Sequence, residues 1–403
     1  MDRNFPYNQD KIQTQTTVSP LVPYKPVIKV VGLGGGGGNA ISRMMEFGVR
    51  GVEFIAANTD FQALKNNPAP TKIQLGPTVT RGLGAGGDPS IGREAAKESS
   101  HAIANALSGA DMVFLTAGMG GGTGSGAIPV AAEISKGMGI VTIAVVTMPF
   151  SFEMGLRQKN ASACLASLRQ NTHTVITIPN DRLLYVVPKG QPLTIAFHMA
   201  DDVLRQAIQG ITELVTETGL INVDFAHIRR MMLMGKGAFM SIGQGSGSNK
   251  ASDAIDQALH HPLLESVSLE HASGMIVNFT GGKDLTLFEV DQAIKTLQDQ
   301  SNPDAEIILG VIEDERMHNR VQAILVITGI GAPTLEEALS LHAQPLKNPE
   351  PLPNLHEQTT PPRASSTPSR FLNEIEIAPT DLSNLDVPAF LRRRQQSSRV
   401  GYG

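Results

Sequence analysis

The chain has 403 residues, 41% of them hydrophobic and 18% charged, enough for two ordinary domains with sizeable cores. A net charge of −5 without a block of five like charges argues against a nucleic-acid surface, and the single cysteine, Cys164, excludes an internal disulfide and reads as a small core residue in a cytosolic protein. No apolar run approaches the ~18 residues of a membrane span, and the polar N-terminus lacks the apolar core of a secretion signal.

In chain order, residues 1–25 are polar and read as disordered. Strands are predicted at 27–33, 53–58, 111–117, 139–146 and 172–179, with helices at 39–48, 91–110 and 126–139 between them. This alternation predicts an α/β layered fold with a mostly parallel sheet. Residues 195–219 form one long amphipathic pattern, with Val203, Leu204, Ala207, Ile208, Ile211, Leu214 and Val215 on one face. Its length suits a spine between two subdomains. Strands at 274–280, 305–313 and 320–330 predict a second, α+β domain. Residues 341–370 hold seven prolines among Ser, Thr, Asn and Gln, a flexible-linker composition. The linker leads to an apolar–basic block, "LDVPAFLRRR", at 385–394.

Three glycine runs carry the chemistry. "GLGGGGGNA" (32–40) follows a strand and opens a helix, where a phosphate meets unpaired N–H groups and the positive end of the helix dipole. It also satisfies G-x-G-x-x-G through Gly32, Gly34 and Gly37, with Asp60 where a dinucleotide-binding fold keeps its ribose acid. On this run alone a dehydrogenase-type site stays open. "GMGGGTGSG" (118–126) repeats the strand–glycine–helix context, and "GLGAGGDPSIGREAA" (82–96) offers a third loop before a helix with Pro89 in its first turn. A dinucleotide fold needs one such loop. Several suit a nucleoside triphosphate, and no G-x-x-x-x-G-K-[ST] P-loop occurs.

"GGGTGSG" (120–126) resembles the tubulin signature. Together with "GLGGGGGNA", "AANTD" (56–60), "GLGAGGDP", "PFSFE" (149–153), "IPNDRLL" (178–184) and "NVDFA" (222–226), the chain is similar to the FtsZ family over roughly 26–331 and into the tail. The resemblance implies a tubulin-like fold: a GTP-binding domain at 26–194, a central helix at 195–219, and a C-terminal α+β domain at 220–331 carrying a catalytic loop at 219–230. A disordered linker at 332–384 and a partner-binding peptide at 385–394 would follow. It implies a GTPase that polymerises head to tail into the cytokinetic ring, in the cytoplasm near the inner face of the membrane. Gly35, Gly36, Gly37, Gly38 and Asn39 would hold phosphates. Gly122, Thr123 and Gly124 would hold the β- and γ-phosphates, and Ala85, Gly86 and Gly87 would sense the γ-phosphate. Glu153 and Arg157 would serve the ribose and nucleoside side from one helical face, with Asn180 and Phe197 flanking the base. Asp201 would read guanine, its carboxylate accepting from N1–H and N2–H₂, a donor pair adenine lacks. Mg²⁺ would rest on phosphates and waters rather than on a protein cage. In the tail, Leu385, Asp386, Val387, Pro388, Phe390, Leu391 and Arg392 would dock membrane adaptors and division regulators.

The sequence departs from the family in two places. By the resemblance, the loop "GLINVDFAHIRR" (219–230) would contribute Asn222, Asp224 and position 227 to catalysis, but His227 stands where the family carries a second acid. Loss of a water-orienting carboxylate implies slowed hydrolysis with intact assembly. Two alternatives stand beside it: near-normal turnover through Asp224 with a neutral His227, and a GTP-bound structural filament or paralogous copolymer with little turnover. Met154 and Leu156 replace the family's usual Gly and basic residues after Glu153. Adjacent His260 and His261 point apart on a helix and make a poor metal pair, and the Met-rich "RRMMLMGKGAFM" (229–240) reads as core or interface filling.

Overall fold

Apolar runs at regular spacing become strands, the central ones buried on both faces, and the segments between them cover those faces. In chain order the first half comprises β1 (Ile28–Leu33), α1 (Gly34–Glu46), β2 (Val52–Asn58), α2 (Phe61–Asn66), β3 (Thr71–Gln74), α3 (Pro77–Thr80), α4 (Pro89–Glu98), α5 (Ser100–Leu107), β4 (Met112–Gly118), α6 (Gly122–Gly137), β5 (Val141–Met148), α7 (Leu156–Asn171), β6 (Thr174–Pro179) and α8 (Asn180–Leu183). After the long α9 (Leu193–Thr216) come α10 (Phe225–Met234), β7 (Ala238–Ser246), α11 (Lys250–Leu259), β8 (Gly274–Gly281), α12 (Leu287–Asp299), β9 (Glu306–Glu313) and β10 (Arg320–Thr328). This computed structural model describes residues 25–329 apart from 154, 184–191, 217–218, 222, 235–236, 262–268 and 270–271. The described residues belong to the first of two compact units, 1–345 and 346–403. The predicted linker and tail peptide lie outside the described residues, as does the predicted disordered N-terminus up to residue 24.

The strands form one sheet in the order β3-β2-β1-β4-β5-β6-β7-β10-β8-β9. The first six are mutually parallel. A single register pair, Ile176 with Ala238, joins β6 to β7. Beyond it β10 runs antiparallel to both β7 and β8, and β9 parallel to β8. The mostly parallel α/β reading therefore holds, with a mixed second half.

Alternation along the strands divides the core. Ile28, Val30, Met112 and Phe114 face α1 and α9, whereas Val31, Leu33, Val113 and Leu115 face the side covered by α4 to α7. The predicted spine stripe of α9 is buried from Val203 to Leu214. It shares one cluster with residues of both halves, including Val30, Met240, Ile276 and Ile324. On the opposite face of the second half, α11 and α12 pack on β7, β8 and β10.

Several boundaries differ from expectation. The predicted helix 91–110 is two helices, because Ser99 is buried at the break, accepting from Gly76 N–H at 3.0 Å and donating to the Gln74 carbonyl at 3.3 Å. Helices expected at 39 and 126 begin at Gly34 and Gly122, so the glycines are their first turns. The Met-rich run splits, with Met231 and Met232 buried on α10 and Phe239 and Met240 buried in β7. Elements not anticipated include α7, which buries Ala161, Cys164, Leu165 and Leu168, α11, which buries Ala251, Ala254, Ile255 and Ala258, and the short β3, which buries Ile73. Ala161 and Cys164 blur the apolar period of α7. Burial pushes the Cys164 thiol up to about 12, which makes it an inert core group. Among the described residues no helix is long and apolar enough to cross a membrane.

Candidate functional site

The chain reverses its direction of sheet growth at β1, which has β2 on one side and β4 on the other. Such a switch point leaves a crevice outside the carboxyl ends of the two strands. Here β1 passes directly, and β4 after residues 119–121, into helices α1 and α6, whose N-caps are Leu33 and Gly121. Neither cap makes a side-chain hydrogen bond, and neither first turn holds an acid. Two sets of helix-starting N–H groups thus face one crevice without a side-chain acceptor, each at the positive end of a dipole.

Close backbone approach explains the glycines. A Cβ on Gly34 would lie 2.8 Å from Gly124 N, one on Gly36 3.0 Å from Gly118 N, and one on Gly37 2.4 Å from the Thr116 carbonyl oxygen. The third run joins them, since a Cβ on Gly122 would sit 2.8 Å from Asp88 N and 3.0 Å from Ala85 Cβ. Gly35, Gly86, Gly87 and Gly121 differ: no atom lies within 4 Å of the missing Cβ. The packed glycines bring the three runs together, and the open ones leave their backbone uncovered by side chains. Gly35, Gly36, Asn39, Gly86 and Gly87 are exposed, whereas Gly37, Ala85, Gly122 and Gly124 are buried. Thr123 shares a 2.6 Å hydroxyl–hydroxyl hydrogen bond with Thr59, and Gly38 offers its carbonyl to Asn67 Nδ2 at 2.8 Å. Asp60 is consumed locally as the cap of α2, accepting from Gln62 and Ala63 N–H, which removes it from a ribose-binding role.

An aromatic cluster and two carboxylates lie to the side. Phe150 is fully buried, stacks on Phe152 at 5.0 Å and meets Phe197 edge-on at 5.4 Å. Glu153 accepts from Phe150 N–H at 3.0 Å and pairs with Arg157. The expectation that both sit on one helical face is corrected: α7 starts at Leu156 after Gly155, whose φ of +80° turns the chain, so Glu153 precedes the helix. Asn180 begins α8, and its buried Oδ1 has no hydrogen-bond partner. Such an acceptor is costly unless a donor arrives. Asp201 on α9 lies 3.5 Å from the Arg43 guanidinium of α1, both side chains largely buried. Burial pushes the Asp201 carboxyl up to about 6, against the opposing pull of Arg43. Arg43 and Asn67 escaped the sequence reading because their partners are distant in sequence and no local motif marks them.

The loop expected to be catalytic lies elsewhere. Asn222 falls outside the described residues. Asp224 caps α10, its Oδ1 accepting from Ala226 N–H at 3.0 Å and its carbonyl from His227 N–H at 3.0 Å, and both side chains are exposed. Thr216, at the end of α9, abuts Gly51 just before β2, and Thr174 at the start of β6 donates to the Met232 carbonyl on α10 at 2.6 Å. Those contacts lie at the amino ends of the parallel strands. The glycine crevice lies at their carboxyl ends, so Asp224 and His227 are at the opposite edge of the sheet. Among the described residues no group of three or more His, Cys, Asp or Glu could hold a metal ion, and His260 is exposed beside Asp256.

Comparison with known proteins fits this arrangement. Residues 27–188 match the Tubulin/FtsZ family, GTPase domain, and residues 236–331 the FtsZ family, C-terminal domain. Cell division protein FtsZ of Pseudomonas putida is 42% identical over 389 residues, spanning 93% of this chain and 98% of that protein. The protein of the same name from Azotobacter vinelandii is 43% identical over 385 residues, with 93% and 98% covered. Among solved structures, the empty FtsZ dimer of M. jannaschii superposes with a TM-score of 0.73 at 46% identity, over 77% of this chain and 90% of that one. CetZ2 from Haloferax volcanii, in a GTPγS-bound protofilament, gives 0.66 at 20% identity over 79% and 100%, a likeness of fold.

Proposed function

The chain belongs to the FtsZ family of tubulin-like GTPases, and from that premise we propose that it polymerises head to tail into the protofilaments of a cytokinetic ring, hydrolysing GTP where two subunits meet. The observation that carries the reading is the separation of its parts. The crevice with two uncapped helix starts lies at one edge of the parallel strands and the exposed Asp224–His227 turn at the other. Within one subunit they cannot meet. Stacked subunits of one orientation bring the turn of one against the crevice of the next.

In this reading the N–H groups of Gly35–Asn39 and Gly122–Gly124, with the Thr123 hydroxyl, bind the phosphates, and Ala85–Gly87 close on the γ-phosphate. Glu153 and Arg157 hold the ribose side, and Phe197 and Asn180 flank the base, whose donors supply what Asn180 Oδ1 lacks. Asp201 exchanges Arg43 for the guanine N1–H and N2–H₂ donors. Mg²⁺, for which the described residues form no carboxylate cage, would supply charge neutralisation on the triphosphate. Asp224, with Asn222, orients the attacking water from the neighbouring subunit, and His227, in place of an acid, leaves that water with one carboxylate fewer. Hydrolysis is therefore slow and assembly intact. The domain division at 26–194, 195–219 and 220–331 follows the family, and the peptide around Leu385–Arg392 docks a membrane adaptor or division regulator, keeping filaments beside the membrane at the division site.

Pelleting and phosphate release, followed in one tube with GTP or GDP, test the reading. The expected result is GTP-dependent pelleting, with His227→Asp speeding phosphate release several-fold. Absence of GTP-dependent pelleting would overturn the polymer. Rapid release that His227→Asp leaves unchanged would mean that Asp224 suffices.

A further inference from the structure

The second and third glycine runs are tied together by a side chain to which none of the roles above is given. Asn160 lies half-buried on the second turn of α7. Its Nδ2 donates to the carbonyl of Gly87 and to the carbonyl of Gly120, each at 3.3 Å. One amide nitrogen carries two hydrogens, so a single side chain serves both carbonyls, and two carbonyl acceptors fix which way the amide faces. One turn earlier α7 already touches the second run: a Cβ on Gly120 would come within 2.8 Å of the Arg157 carbonyl oxygen. The helix is thus seated on the second run by its main chain, and Asn160 reaches from it to the third.

The third run needs such a tie. Gly84, Gly86 and Gly87 all have positive φ, +87°, +58° and +80°, and nothing stands within 4 Å of any of their missing Cβ atoms. Asp88 N–H donates to the Ala85 carbonyl at 2.9 Å across the tip, Gly84 N–H donates to the Thr59 carbonyl at 3.3 Å, and Ala85 and Asp88 pack against Gly122, so among the described residues it is the exposed Gly86–Gly87 segment that Asn160 ties from outside. A glycine-rich tip has many conformations to lose, so an outside donor on Gly87 narrows them before any ligand arrives.

We infer that Asn160 is a positioning residue for the terminal phosphate, holding Ala85–Gly87 against the second glycine run so that the γ-phosphate meets a preset backbone. This rests on the reading of 85–87 as the γ-phosphate loop. GDP lacks that phosphate, so loosening the tie weakens GTP and spares GDP. A merely structural role would weaken both alike.

The test is fluorescence titration of the full chain, kept below the concentration at which it pellets, with a non-hydrolysable GTP analogue and with GDP. Asn160→Asp keeps the side-chain shape and removes both N–H donors, and Asn160→Ala removes the side chain. The GTP-to-GDP affinity ratio is expected to fall about five- to tenfold in each, the size of one or two lost hydrogen bonds, while GDP affinity stays within about twofold. Asn160→Gln, which keeps the amide, is expected to recover part of the ratio. An unchanged ratio, or equal weakening of both nucleotides, overturns the inference alone, provided the wild-type chain binds both. A wild-type chain that binds neither overturns the reading of the crevice and the inference with it.

Discussion

The two halves of the sheet use the same devices, glycines and helix starts, for opposite ends. In the first half α1 and α6 begin without side-chain caps, and Gly35 and Gly121 face open space. In the second half α12 begins with a complete capping box: Thr286 Oγ1 accepts from Glu289 N–H at 3.3 Å, and Glu289 Oε2 accepts from Thr286 N–H at 2.9 Å. There Gly243 exists to let α11 lie on β7, since its Cβ would fall 1.9 Å from the Ala254 carbonyl oxygen. A glycine or a helix N-terminus therefore signals a ligand only where the groups it exposes are left unfilled. Where side chains or backbone already fill them, it is packing.

The sharpest break of that contrast comes from Gly37→Ala. Its Cβ would meet the Thr116 carbonyl at 2.4 Å and Gly32 C at 2.8 Å, both main-chain atoms. A loss of more than about 3 kcal/mol in chemical denaturation is expected, with nucleotide binding lost as β1, β4 and α1 are pushed apart. Gly243→Ala is next, costing about 3 kcal/mol by the same assay but leaving guanine-nucleotide affinity unchanged in the protein that remains folded. Gly35→Ala reverses this pattern. With open space at its Cβ it is expected to keep the wild-type melting temperature and bind GTP at least about tenfold more weakly, roughly 1.4 kcal/mol. If Gly35→Ala binds normally, the open glycines are not the ligand surface.

Acid sharpens the comparison further. In the proposed reading Asp201 recognises guanine as the ionised carboxylate, and burial holds that group at about 6 rather than in the usual carboxylate range. Above that value it is ionised and binding is at its maximum. Below it the proton competes with guanine, and GTP affinity is expected to fall by up to about tenfold per pH unit, with Asp201→Asn weak and flat over the same range. Isothermal titration between pH 5 and 8, as a rough span, reads this directly. The smallest effect is Thr286→Ala, which removes the capping box and is expected to cost about 1 kcal/mol in denaturation midpoint without touching nucleotide binding.

The sequence by itself determined the class of site, because glycine runs after strands and before helices have few uses, and the order of those runs repeats a family pattern. It also determined the buried stripe of α9, whose period follows from helix geometry alone. Tertiary structure decided the rest, for physical reasons that local patterns do not carry. Which glycines pack and which stay open depends on how closely β1 and β4 bring α1 and α6 together. Arg43 meets Asp201 and Asn160 meets Gly87 across long stretches of chain, and such pairs leave no periodic trace. Helix α7 buries Ala161 and Cys164 beside Leu165 and Leu168, and the two small residues blur its period, whereas α11 does carry a one-sided face of Ala251, Ala254, Ile255 and Ala258 that the sequence reading passed over. Finally, the placement of Asp224 and His227 at the edge opposite the crevice is set by the length and direction of α9. Twenty-four helical residues span roughly 36 Å, enough to carry the chain from one end of the sheet to the other.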